Sequence, residues 1–388
     1  MIESVTIFSA SIPMQKAFNH AAKERKLTES ILIELNSNQG KKGWGEGAPR
    51  YYVSGETLKT VIETLKGFNF KLLNSIIKWK NFDEGGTDIF EQNWTYLVNP
   101  EVFSPAAAAA VETACIDLLC KIHSRHLADF LNLCLSQSNH SAQRTIPVSL
   151  VIDLSVSPRD RLHSLKPEAL KQLHCVKIKA HKSVQASISV LREAKALLDP
   201  QTYISIDANG AWNDWEISTF AEELRSISWI EEPFKPRQWK HFADIRENYG
   251  VKIMLDESFA HERDILQAIE HQACDSVNVR VSKCGGITTS LRLIRKIQQA
   301  GLKYQIGVQV GEIGPLWAAS RAIAFALDDY LTVEAGRQDE WFPTALTEPP
   351  FQINREKSAI NCLQSVGFGL SPSSYLLSQL KKIGNFSI

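Results

Sequence analysis

The sequence has no surplus of charge of either sign, with 43 Lys and Arg against 43 Asp and Glu in 388 residues. It therefore lacks the broad positive field that holds nucleic acid or an anionic lipid surface, and neither partner is expected. It also lacks an apolar run near the roughly 20 residues that span a bilayer. Even the alanine stretch 106–110 is broken by charge soon afterwards. No membrane helix is expected. The opening Met1-Ile2-Glu3-Ser4 has neither the basic region nor the apolar core of a secretory signal. The seven cysteines include no C-x-x-C pair, and an odd, scattered set of this kind suits a reducing cytoplasm. Low-complexity linkers and short repeats are absent too, so the organisation has to be read from periodicity.

A chain of this length predicts two domains, or one large α/β barrel with an addition. Residues 2–10, 28–36 and 42–46 read as strands, with a turn at Asn38-Gln39-Gly40, and predict an antiparallel meander. From Thr57 to about Leu133 the pattern is helical, most clearly over Pro105 to Ile122. From Thr145 short apolar runs recur: 146–152, 174–179, 203–207, 227–231, 251–256, 276–280, 303–310 and 331–334. Amphipathic segments separate them, among them 184–198, 216–224, 262–272 and 288–300. Strand and crossover segment in alternation predict a (β/α) barrel of parallel strands. Domain bounds follow at 1–140 for an α+β unit, 141–344 for the barrel and 345–388 for an irregular tail that packs back on the first unit.

In such barrels the site lies at the C-terminal ends of the strands. Those ends are polar here: Lys177-Ile178-Lys179, Asp207-Ala208-Asn209, Glu231-Glu232-Pro233, Asp256-Glu257-Ser258 and Asn278-Val279-Arg280. The steps from Lys179 to Asp207, Glu231, Asp256 and Arg280 are 28, 24, 25 and 24 residues, about one strand-helix unit each. Carboxylates converging on one rim need a cation between them, and oxygen-only ligands suit a hard ion such as Mg²⁺. Adjacent strand residues face opposite ways, so only the register decides between Glu231 and Glu232.

These stretches, with Asp207-Ala-Asn-Gly-Ala-Trp, Ile230-Glu-Glu-Pro, Leu255-Asp-Glu-Ser and Lys283-Cys-Gly-Gly-Ile, resemble the muconate lactonizing enzyme subgroup of the enolase superfamily. The resemblance extends to Gly43–Arg50, Asp117-Leu118 and Glu334, and so covers nearly the whole chain. It implies an α/β fold: a modified (β/α)₇β TIM barrel capped by an α+β domain built from the N-terminal third and the C-terminal tail. It also implies Mg²⁺, with Mn²⁺ as a substitute, on Asp207, Glu231 and Asp256, with Asn209 and Glu257 supporting these ligands from behind. The activity it implies is removal of the α-proton of a small carboxylate to give an enediolate, by a lysine, in a homo-oligomeric enzyme.

A base must be neutral at working pH. Lys177, on the same strand face, would lower the pKa of Lys179 by like-charge repulsion, which makes Lys179 the expected base. Where the family carries a second lysine this chain has Arg280, a poor proton shuttle, with Lys283 three residues on. The substitution favours a one-base lyase (β-elimination) or cycloisomerase. The alternatives are an epimerase of dipeptides or N-acylamino acids, using Lys283, and a non-catalytic barrel that binds a carboxylate. Phe18, His20, Arg50, Tyr51 and Glu334 are the expected substrate contacts.

Overall fold

The computed structural model describes residues 1–20, 23–91, 94, 98, 103–136, 145–355 and 357–388. Its N-terminal strands are β1 (Ile2–His20), β2 (Lys23–Ser37) and β3 (Lys42–Gly47). They form the antiparallel meander, although β1 and β2 extend well past the apolar cores that mark them in the sequence. On β2, Ile31, Ile33 and Leu35 face one apolar cluster while Leu32 faces another with Ala10, Ile12 and Trp44. Both faces of the sheet are therefore covered.

One of those faces receives α1 (Pro105–Ile122), which starts at a Ser104 cap followed by Pro105. Ala106, Ala110 and Ala114 recur every fourth residue along one side of it, against Gly43, Gly45 and Gly47 of β3. A Cβ on any of these glycines would run into the α1 backbone or its alanines. The alanine run is thus more than a helix-favouring composition: strand and helix meet backbone to backbone.

Beyond α1 come β4 (Thr145–Pro147) and β5 (Leu150–Ile152), α2 (Pro158–His163), β6 (Cys175–Lys179) and α3 (Val184–Lys195). Then follow β7 (Tyr203–Asp207), α4 (Asp214–Thr219), α5 (Ala221–Arg225), β8 (Trp229–Glu231), α6 (Trp239–Tyr249), β9 (Ile253–Leu255) and α7 (Glu262–Glu270). The series ends with β10 (Ser276–Arg280), α8 (Ile287–Gln299), β11 (Lys303–Gly307) and α9 (Pro315–Ala326). Strands β5 to β11 make a parallel 7-stranded sheet in chain order. Helix α10 (Gln338–Trp341) precedes the tail strands β12 (Thr347–Glu348), β13 (Ala359–Asn361), β14 (Ser371–Pro372) and β15 (Leu380–Ser387).

Several expectations need correction. The single strand expected at 146–152 is two, because Pro147 has no N–H to donate to a central ladder, and β4 turns away to pair antiparallel with β13. The segment expected as a strand at 331–334 is an isolated bridge at Val333. It still bonds on both sides: Leu331 N donates to Tyr304 O at 2.8 Å and Glu334 N to Ile306 O at 2.8 Å, while Val333 O accepts from Ser149 N at 2.9 Å. The helix expected at 216–224 breaks at Phe220 into α4 and α5. The tail is less irregular than expected, since β15 pairs with β1 at the edge of the N-terminal sheet. Among the described residues no helix is long and apolar enough to cross a membrane.

Candidate active site

Register assembles the rim. Lys179 of β6 pairs with Asp207 of β7, and Asp207 with Glu231 of β8. The three therefore lie in one row across adjacent strands, and alternation along β6 turns Lys177 to the same face as Lys179. Asp256 directly follows β9, and Arg280 closes β10. Asp207, Glu231 and Asp256 are each no more than 1% exposed.

The Lys177 ammonium sits within a cage of acids. It lies 2.9 Å from Asp207 Oδ2, 2.8 Å from Glu231 Oε2 and 2.7 Å from Glu334 Oε1, and donates to Glu231 Oε1 at 2.9 Å. Lys179 Nζ donates to the same Asp207 oxygen at 2.5 Å and to Asn209 Oδ1 at 3.3 Å. Asn209 Nδ2 passes the contact on to Glu257 Oε1 at 3.1 Å. On the other side Arg280 Nη2 donates to Asp256 Oδ2, and its Nη1 to Gln309 Oε1 at 3.2 Å.

Burial and neighbouring charge act against each other here. Burial works to raise the pKa of Asp207, but Lys177 and Lys179 hold it far below the usual carboxylate range. Glu231 is pushed up to about 8 by burial, which the repulsion of Asp207, Asp256 and Glu334 reinforces and Lys177 only partly offsets. Burial alone would discharge Lys177, yet its three carboxylates keep it protonated well above the ordinary lysine range. Arg280 is held charged in the same way, chiefly by Asp256.

The donor set is chemically right for a hard divalent ion. It is all oxygen, buried and ordered across adjacent strands, and Glu231 Oε2 carries an ionic contact but no well-formed hydrogen bond. Among the described residues no three such side chains already converge as ligands, since the Lys177, Lys179 and Arg280 cations stand among the carboxylates.

A cavity opens over this rim and is lined by Lys177, Lys179, Asn209, Glu257, Arg280 and Glu334. Other expected residues lie elsewhere. Arg50 is 0% exposed and spends its guanidinium on Val310 O, Glu29 O, Pro49 O and Thr28 Oγ1; it ties the N-terminal sheet to the loop after β11 and does not line the cavity. Tyr51 is 72% exposed and points away, whereas its neighbour Tyr52 lines the cavity. Lys283 is 0% exposed, donates to Asp256 O, Asp256 Oδ1 and Asn278 O at 2.6, 2.8 and 2.8 Å, and is absent from the lining. Phe18 and His20 pair with Arg25 and Lys23 in the β1–β2 ladder, but their side chains lie outside what is described.

Glu232 turns outward. Its residue adopts φ 42°, and its carboxylate accepts from Asp256 N at 2.7 Å and Ser258 N at 3.2 Å. It shapes the loop that carries Asp256, and Glu231 is the one that faces the rim. Sequence reasoning missed Tyr52, Ser149, Arg161, Arg337, Trp341 and Arg355, all in the lining. They come from loops and short helices outside the strand-end spacing, so no periodic signal marks them.

Comparison with known proteins gives a consistent picture. A family model described as "Enolase C-terminal domain-like" matches residues 165–375. The hydrophobic dipeptide epimerase of Enterococcus faecalis is 25% identical over 83% of this chain and 87% of its own length. A dipeptide epimerase from the same organism, solved with Mg and the dipeptide L-Leu-L-Tyr, superposes with a TM-score of 0.77 at 22% identity, covering 95% of this chain and 99% of that one. The 2-chloromuconate cycloisomerase of Rhodococcus opacus does so with a TM-score of 0.79 at 16% identity, covering 98% and 99%.

Proposed function

The chain belongs to the enolase superfamily, in its mandelate racemase and muconate lactonizing enzyme subgroup, and from that premise we propose that it is a Mg²⁺-dependent isomerase or lyase that removes the α-proton of a carboxylate substrate with one base, Lys179. One observation carries the one-base reading. The candidate second lysine base, Lys283, is buried with three acceptors on its ammonium, and the cavity face holds Arg280 in its stead. The finer architecture belongs to the same proposal: β5 to β11 and residues 331–334 close a (β/α)₇β barrel, and the N-terminal third with the tail caps it. The bonds of 331–334 to both β11 and Ser149 support that closure.

In this proposal Asp207, Glu231 and Asp256 would hold the ion, which when bound would supply Lewis-acid neutralisation of the substrate carboxylate. Lys179, at the cavity edge of the row, takes the α-proton. Asn209, bonded to Lys179 and backed by Glu257, fixes the direction of the ammonium that results. Arg280 cannot accept a proton, so it serves as a fixed positive charge opposite the base and stabilises the anion left by deprotonation. Lys177 balances the acids beneath and stays charged throughout.

Epimerisation is the second reading. It is favoured by the names of relatives, such as the dipeptide epimerase of E. faecalis. The test common to both is α-deuteration in D₂O: wild type with Mg²⁺ or Mn²⁺ should exchange the α-proton of a carboxylate panel, and Lys179→Ala or chelation should abolish exchange. Exchange that survives in Lys179→Ala would reject the assigned base.

A further inference from the structure

The cavity has a second set of cations that the proposed chemistry leaves unused. Arg161 of α2, Arg337 just before α10 and Arg355 of the tail all line it. They converge on one carboxylate: Glu340 Oε1 lies 3.2 Å from Arg161 Nη2 and 2.9 Å from Arg355 Nη2, and Oε2 accepts from Arg337 Nε at 2.9 Å. Asp153 accepts from Arg337 Nη1 at 2.8 Å, and Asp339 from Arg355 Nη2 at 2.6 Å. None of these three acids belongs to the cavity lining. The carboxylates stand behind the arginines that line the opening.

This backing orients the arginines and leaves donors over on Arg161 and Arg355. Burial opposes ionisation of Glu340, yet Arg337, with Arg161 and Arg355, holds its pKa down at about 2, so the anchor stays charged at neutral pH. Arg337 is spent, with Nε, Nη1 and Nη2 all on acids. Among the described residues Arg161 Nε is buried and has no acceptor, and Arg355 meets its acids through Nη2 alone. The tail segment that brings Arg355 here is itself pinned. Arg321 of α9 donates from Nη2 to Gln352 O at 3.0 Å, and the Phe351 ring packs edge-on against Trp317 at 5.2 Å. A guanidinium held at a cavity wall with N–H groups left over, its side chain only partly exposed, offers them to an acceptor, and its planar fork suits a carboxylate.

We propose that this wall binds a second anionic group of the substrate, making the substrate class a dicarboxylate with one carboxylate at the Lys179 and Arg280 rim and the other at Arg161 and Arg355. The inference rests on the α-proton reading given above. Matched pairs with and without a distal carboxylate test it: N-succinyl-L-alanine against N-butanoyl-L-alanine, and L-Ala-L-Glu against L-Ala-L-Gln. Calorimetric binding with Mg²⁺ and the kcat/KM for α-deuteration are read for wild type, Arg161→Met and Arg355→Met. Wild type should favour the charged member by about 10- to 100-fold, mainly through KM. Each variant should bring that ratio several-fold closer to one, with the charged member losing more than the neutral one. Arg161→Lys and Arg355→Lys keep the charge without the fork, should retain part of the preference, and serve in place of a methionine variant that does not fold. Equal use of both members by wild type, or a ratio unmoved in every variant, overturns the inference and leaves the α-proton reading intact. Failure of that reading has a different signature: no acid exchanges deuterium. The calorimetric ratio then decides alone, with an arginine-dependent preference supporting the wall and equal or absent binding overturning it.

Discussion

The carboxylates and the buried lysine on the rim carry different duties, and substitution separates them. Asp207→Asn, Glu231→Gln and Asp256→Asn should each weaken Mg²⁺ binding in calorimetry and stop turnover with the fold retained; unchanged affinity in all three would refute the metal assignment. Lys177 is a different matter, because its ammonium lies within 2.9 Å of three buried carboxylates. Lys177→Met strands those charges and should destabilise the protein by about 3–5 kcal/mol in the absence of metal, the usual cost of removing one partner of a buried ion pair. Added Mg²⁺ should recover part of that loss, since a ligand that binds only the folded state raises its stability. Denaturant titration with and without Mg²⁺ measures both effects, and a variant as stable as wild type would contradict the cage.

At the scale of elements, glutamates from the N-terminal third cap helices of the parallel-strand region. Glu112 of α1 accepts from Ile287 N, Thr288 N and Thr288 Oγ1 at the start of α8. Glu46 of β3 accepts from Ile313 N at 2.8 Å and Gly314 N at 2.9 Å before α9. Burial pushes Glu112 up to about 7, against the opposing pull of Thr288 and Arg292. A folded pKa above the unfolded value means that the fold favours the protonated form. The corresponding stability is complete below about pH 4.5 and is lost as pH rises through about 7, by at most about 3 kcal/mol. The difference in stability between wild type and Glu112→Gln should therefore change across that window; parallel pH profiles would contradict it. The contact of β3 with α1 gives a companion prediction. Gly45→Ala places a methyl group against Ala110 and Ala114 and should cost about 1–3 kcal/mol or more in urea unfolding, whereas Gly40→Ala, with nothing within 4 Å, meets no such obstacle and pays only for its φ of 69°.

For the molecule as a whole, what could be read from the sequence follows from what is periodic. The strand ends 203–207 and 276–280 have the expected bounds, because each is a short apolar run closed by a polar residue, and their even spacing brings Lys179, Asp207 and Glu231 into one row. Pairing decisions made at a distance left no such mark: β4 leaving the parallel order, β15 joining β1, and Arg50 turning its charge into backbone carbonyls. The cavity wall of Arg161, Arg337 and Arg355 was hidden for the same reason, since its members are brought together only by Glu340 and its neighbouring acids. The site was thus legible where one strand-helix unit repeats and illegible where loops meet.

The central claim is that one base works on one face of the substrate, with a fixed positive charge opposite. Deuterium incorporation by wild type, measured separately for each enantiomer of one exchanging substrate with Mg²⁺ present, tests it most directly. The account predicts incorporation into a single enantiomer, slower but with unchanged stereochemistry in Arg280→Met, and exchange at the opposite face gained in Arg280→Lys. Comparable incorporation into both enantiomers by wild type would contradict it, and would put a second base and epimerisation in its place.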